Sequence, residues 1–225
     1  MKALPPLLSF NAGYVDTSGF LALSGMFTAH VTGNFVTFGA AVVQGSAGTV
    51  GKLLVLPVFC VVIVAARLFA HVLQRRSLPV FRIMLGIKTA LLAAAAALAI
   101  RYRPFADADS GLALTVGLTL AAAMAIQTAA ARVHMPAEPP STMMTGTTTQ
   151  IMIDLADLAA GVADEARTAV LTRLKHMAAN VAGFALGCGA GALAWKTGAE
   201  WCFLLPPLVA LATPFMTPDA GKEFP

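Results

Sequence analysis

The chain has 225 residues, of which 58% are hydrophobic and 12% charged, with a formal net charge of +4. Soluble domains run at about 45–50% apolar and about 25% charged residues, so this composition excludes an ordinary soluble core. The basic residues form no cluster with interleaved aromatics, which argues against a nucleic-acid partner and leaves a topological reading, in which they mark cytoplasmic loops.

A run of about 20 apolar residues crosses a bilayer as a helix. The apolar blocks are rich in Leu, Ala and Val and do not alternate, so helices are expected rather than barrel strands. The first block is interrupted by Asn11, Asp16, Thr17 and Ser18, unlike the unbroken apolar core of a cleaved leader, and reads as a retained span. Six segments are long enough to cross: about Leu7–Phe27, Leu53–Leu73, Phe81–Arg101, Gly111–Ala131, His176–Trp195 and Trp201–Met216. Two are shorter. Gly33–Val43 would reach about 16 Å as a helix and Gly146–Gly161 about 24 Å, against a hydrocarbon core of about 30 Å.

The order is span, short helix, span, span, repeated twice. Phe27-Thr28-Ala29-His30-Val31-Thr32-Gly33-Asn34 aligns with Pro140-Ser141-Thr142-Met143-Met144-Thr145-Gly146-Thr147, and Asp16 and Gln127 sit at similar distances upstream. The expected fold is therefore an all-α membrane protein in one domain, 1–225. It has six transmembrane helices, two short re-entrant or discontinuous half-helices, and two inverted repeats, about 7–103 and about 110–217.

Charge favours re-entry. If the short helices do not cross, Lys2, Arg75, Arg76, Arg82, Arg132, Arg167, Arg173, Lys175 and Lys222 share one side, against Lys52, Arg101, Arg103 and Lys196 on the other. Crossing would narrow the split to eight against five. By the positive-inside rule both termini are then cytoplasmic.

The residues quoted above, with Gly13-Tyr14-Val15-Asp16, Gly19-Phe20-Leu21-Ala22-Leu23, Met144-Thr145-Gly146 and Thr149-Gln150, carry a resemblance over almost the whole chain. It resembles the YoaK-like family of bacterial inner-membrane proteins, which has no assigned activity. The resemblance implies a bacterial inner-membrane location. Thr147 departs from the Asn that the family pattern has after the second Thr-Gly pair.

A helix N-terminus leaves N–H groups free and carries partial positive charge. Thr is a good N-cap, and Gly admits a ligand close to the backbone. Two such ends, at Thr32-Gly33-Asn34 and Thr145-Gly146-Thr147, would converge on a small polar or anionic solute, as in inverted-repeat transporters. The alternative is that both threonines cap helix ends at the surface. Asp16 is the one carboxylate within a full span, at a cost of about 3 kcal/mol if ionised there. It would relay protons, bind a cation, or pair with Arg67, Lys88 or His30; otherwise it makes a local capping bond. His30 would titrate near neutrality or order its loop. Gln127 and Gln150 would bind substrate or bridge helices. Asp154 and Asp157 share a helix face, either lining a cavity or solvated.

Gly183, Gly187, Gly189 and Gly191 form a small-residue face that packs the repeat core or makes a homodimer contact. Cys60, Cys188 and Cys202 lie in apolar blocks without C-x-x-C spacing and read as small buried hydrophobes. With no Gly-rich nucleotide loop, H-E-x-x-H or nucleophile elbow, neither enzyme activity nor a cofactor or metal is expected. The reading is a secondary transporter whose partners are the bilayer and its solute. A channel, or a non-transporting scaffold or sensor, is the alternative.

Overall fold

The fold is described from a computed structural model that covers residues 3–102, 105, 107–161, 163–199 and 201–217. Lys2, Arg103 and Lys222 of the charge count lie outside the described residues. Among these residues there are eight α-helices and no strand: α1 Leu4–Ala22, α2 Asn34–Gln44, α3 Thr49–Arg75, α4 Val80–Tyr102, α5 Gly111–His134, α6 Met144–Ala160, α7 Asp164–Gly198 and α8 Leu205–Ala212. Short 3-10 turns precede α2 at Val31–Gly33 and flank α8.

The helix ends follow local chemistry. Pro5 and Pro6 open α1, where a missing N–H costs nothing. Ser110 caps α5 by accepting the Ala113 N–H at 3.3 Å. Gly45 closes α2 and Gly161 closes α6, each in the left-handed region that a side chain would strain. Pro136, Pro139 and Pro140 hold the α5–α6 connection open.

Helices α3, α4, α5 and α7 are long and apolar enough to cross a membrane. The expected first and sixth spans take different forms. α1 is largely buried within the protein and carries buried Ser9, Asn11, Asp16 and Ser18, because a helix walled by protein need not match lipid hydropathy. The segment 202–216 is α8 between two 3-10 turns, broken up by Pro206, Pro207 and Pro214.

Packing exchanges partners between the two halves of the chain. α1 lies against α7, and α3 against α5, while α2 packs on α3 and α6 on α7. α1 and α7 run parallel at backbone contact. A Cβ on Gly183 would stand 2.6 Å from the Pro6 carbonyl and one on Gly191 2.9 Å from that of Tyr14, with Gly187 tighter still against the Phe10 carbonyl. Gly189 meets nothing. Three of the four predicted glycines therefore build an intrachain seam, as small residues do in lipid-embedded pairs. Cys60 is exposed, contrary to expectation, because α3 turns that face outward.

Asp109 ties the starts of α3 and α5 together, accepting the N–H groups of Gly48 and Gly51, each at 3.1 Å. Gly48 also lies beside Leu23 and Ser24 at the end of α1. The chain from 23 to 48 thus leaves and returns at one end of the bundle. At the other end, Arg82 Nε donates to the Pro214 carbonyl at 3.1 Å.

Candidate functional site

Asp16 lies six residues before the end of α1, about 9 Å into the bundle. Its Oδ1 accepts the backbone N–H groups of Thr28 at 2.7 Å, Ala29 at 2.8 Å and His30 at 3.4 Å. The connection after α1 is therefore drawn back to mid-helix depth before α2 starts. Three amide donors satisfy Oδ1 without a cation. Oδ2 is 3.9 Å from His30 Nδ1. Lys88, considered above as a partner for Asp16, is fully buried, and its Nζ has no hydrogen bond among the described residues.

Asn34 completes the loop. Its Oδ1 accepts the Phe27 N–H at 2.9 Å, and its Nδ2 donates to the carbonyls of Phe27 at 2.8 Å and Val31 at 3.1 Å. The amide is spent on the loop itself. Thr32 is exposed, within the 3-10 turn, and caps neither that turn nor α2. Gly33 is in contact with the Phe27 ring, which a Cβ would approach to 3.1 Å.

In the second half Gln127 takes the place of Asp16. Its Nε2 donates to the Leu8 carbonyl of α1 and to Ser141 Oγ, both at 3.0 Å. It lies seven residues before the end of α5, so the α5–α6 connection is also pinned about 10 Å inside the bundle. Thr145 and Gly146 are exposed, and Thr145 does not cap α6. Thr147 is buried and donates to the Met143 carbonyl at 3.2 Å. Gln150 Nε2 donates to Asp154 Oδ1 at 2.8 Å.

Five of the ten predicted site residues fall into two separate clefts, and Thr32, Gly33, Asn34, Gln127 and Thr145 line neither. Asp16 and His30 line a cleft of about 450 Å³ with Thr17, Phe20, Phe27 and Phe184. Gly146, Thr147 and Gln150 line a larger pocket of about 960 Å³ between the proline loop, α6 and α7. The two clefts share no lining residue. The expected Thr-Gly caps are absent at both positions: Thr32 lies in the 3-10 turn ahead of α2, and Thr145 is already inside the first turn of α6.

Sequence reasoning missed several polar residues around the larger pocket. Arg132 and Glu138 come from α5 and its loop, and Thr172, Arg173 and His176 from α7. Arg173 grips buried Asp154 through two nitrogens, at 2.9 Å and 2.6 Å, while Asp157 is exposed. His176 faces Glu138 at 3.2 Å. No local pattern announces a pair nineteen residues apart, although the Asp154 spacing flagged one member.

Residues 4–216 match the family described as "Protein of unknown function (DUF1275)". The chain belongs to the DUF1275 family. No curated protein and no solved structure matches it. In this DUF1275 chain the family match spans both clefts and every predicted site residue.

Proposed function

We propose that this protein is a secondary transporter of a small polar or anionic solute in a bacterial inner membrane. The observation that carries the reading is the pair of pinned connections. Each half bends its chain back into the bundle through one mid-helix polar side chain, Asp16 or Gln127, and then starts a short helix there. Irregular backbone at membrane depth is tolerated where it is buried in protein or lines a cavity. Short helices that begin near the midplane are how inverted-repeat transporters present their binding sites.

Three further features support this reading. The exchange of partners, α1 with α7 and α5 with α3, fits two repeats related by a two-fold axis. Return of the chain from 23 to 48 to one end fits re-entry of α2, and with it six spans. Arg75, Arg76, Arg82 and Arg132 gather at the opposite end, where the positive-inside rule puts the cytoplasm. The quoted motifs carry the narrower YoaK-like placement within the family.

The solute is assigned to the larger pocket. α6 directs its N-terminal turn there, with Gly146, Thr147 and Gln150, and Arg132 adds positive charge. Asp16 and His30 are the pair for proton coupling. A thermal-shift screen tests the binding step, since a ligand of the folded state raises its melting temperature. Small carboxylates, amino acids and inorganic anions form the panel. A shift from one of them that Gln150→Ala and Arg132→Ala both abolish fits the assignment; no shift from any of them contradicts it.

A further inference from the structure

The cleft in front of Asp16 has a chemistry that neither the fold nor the solute pocket requires. One wall is the carboxylate. Oδ1 is fully engaged by the loop amides, whereas Oδ2 has only His30 Nδ1 within ion-pair range, at 3.9 Å. The remaining walls are mainly aromatic, with Thr17, Leu21 and Cys188 between the rings. Phe20 and Phe27 stand 4.8 Å apart by ring centroid, Phe27 and His30 6.4 Å, and His30 and Phe184 6.1 Å. These rings come from three separate places: Phe20 from α1, Phe27 and His30 from the pinned loop, and Phe184 from α7. The open cleft they line with Asp16, about 450 Å³, exceeds what a proton or a bare metal ion needs.

An aromatic face attracts a cation through its quadrupole, most strongly when water is excluded. A carboxylate that is 4% exposed, with one oxygen still open, supplies the counter-charge. We propose that this cleft binds an organic cation: a protonated amine or quaternary ammonium carrying its charge on a compact apolar body. The ammonium sits toward Asp16 Oδ2, and its alkyl groups pack against Phe20, Phe27 and Phe184. An anion would meet the carboxylate, so the site discriminates by charge sign. The inference goes beyond the transport reading and does not depend on it, because it concerns binding alone.

The test is equilibrium binding to the purified full-length protein in a neutral detergent, with tetrapropylammonium as probe. Its uncharged carbon isostere and benzoate serve as comparisons. Tetrapropylammonium binds saturably; the isostere and benzoate do not. Phe184→Leu, which keeps apolar volume but removes a ring, weakens binding about tenfold. Asp16→Asn, which keeps an acceptor for the loop amides, weakens it by about tenfold or more. Because Asp16→Asn can also disturb the loop, Phe184→Leu and the isostere decide independently of it. Equal binding of the isostere would show a merely greasy cleft and overturn the proposal. So would non-saturable uptake, or an affinity unchanged in Phe184→Leu. A bound cation without any solute flux would leave this inference standing and count only against transport.

Discussion

Asp16 Oδ1 accepts the Thr28 N–H at 2.7 Å, so a carboxylate in the middle of α1 holds the start of the next connection inside the bundle. A buried hydrogen bond to a charged group is worth about 1.5–3 kcal/mol, and here the adjacent amides of Ala29 and His30 share the same oxygen. Asp16→Ala should destabilise the protein by about 3 kcal/mol, whereas Asp16→Asn, which keeps an acceptor, should lose about half of that. Thermal unfolding in detergent checks the ranking, and hydrogen exchange at Thr28 and Ala29 should quicken in the alanine variant. Equal stability of the two variants would contradict the capping role.

Asn34 makes a separate prediction about the same loop. Its Nδ2 faces two carbonyls, so Asn34→Asp swaps a donor for an oxygen that repels both. The expected loss is about 2 kcal/mol, accompanied by protease sensitivity between 26 and 34. Thr32→Val, at an exposed position with no capping bond, should be within about 0.5 kcal/mol of the natural protein.

The α1–α7 seam tolerates no side chain at Gly187, where the Phe10 carbonyl stands against the helix. Gly187→Val should cost at least about 3 kcal/mol and abolish the monodisperse peak in size-exclusion chromatography. Gly189→Ala, facing open space, should leave both peak and melting temperature unchanged. Similar behaviour of the two variants would contradict the seam.

Much of this frame is legible in the sequence, for identifiable reasons. The apolar blocks give α3, α4 and α5 nearly whole, because a lipid-facing helix must be apolar along its length. Glycines at a spacing of four announce the seam but not its partner, since each glycine meets an α1 residue 177 positions earlier. The last span is legible as apolar, while its division into α8 and two 3-10 turns goes with Pro206, Pro207 and Pro214. At the site, Asp16 and Gln127 stand out because polar groups in an apolar helix are costly. Their roles were harder to see. A carboxylate can bind a cation or cap amides, and only the folded loop shows three N–H groups converging on one oxygen. Thr32 and Thr145 were misleading because a Thr-Gly pair marks a helix start only to within a turn.

Lys88 provides a test in the opposite direction. A fully buried amino group without a hydrogen bond among the described residues is a burden on the fold. Lys88→Met keeps the length of the stem and should stabilise the protein by about 2 kcal/mol, seen as a raised melting temperature. A lowered one would mean that the amine is held by a favourable contact.

Re-entry of α2 is open to labelling. In a variant with Cys60, Cys188 and Cys202 replaced, single cysteines at Ser24 and Ser46, both exposed, should react with an impermeant maleimide from the same face of the membrane. A cysteine at Ser77 should react only from the other face. Labelling of Ser24 and Ser46 from opposite faces would mean that α2 crosses.

Solute flux into proteoliposomes tests the central claim most directly. With the panel of small carboxylates, amino acids and inorganic anions, the natural protein should carry at least one solute saturably above protein-free vesicles. Arg132→Ala and Gln150→Ala should each lower that rate by about tenfold. No flux of any panel member, flux that rises without saturation, or unchanged rates in both variants would contradict a transporter built around the α6 pocket.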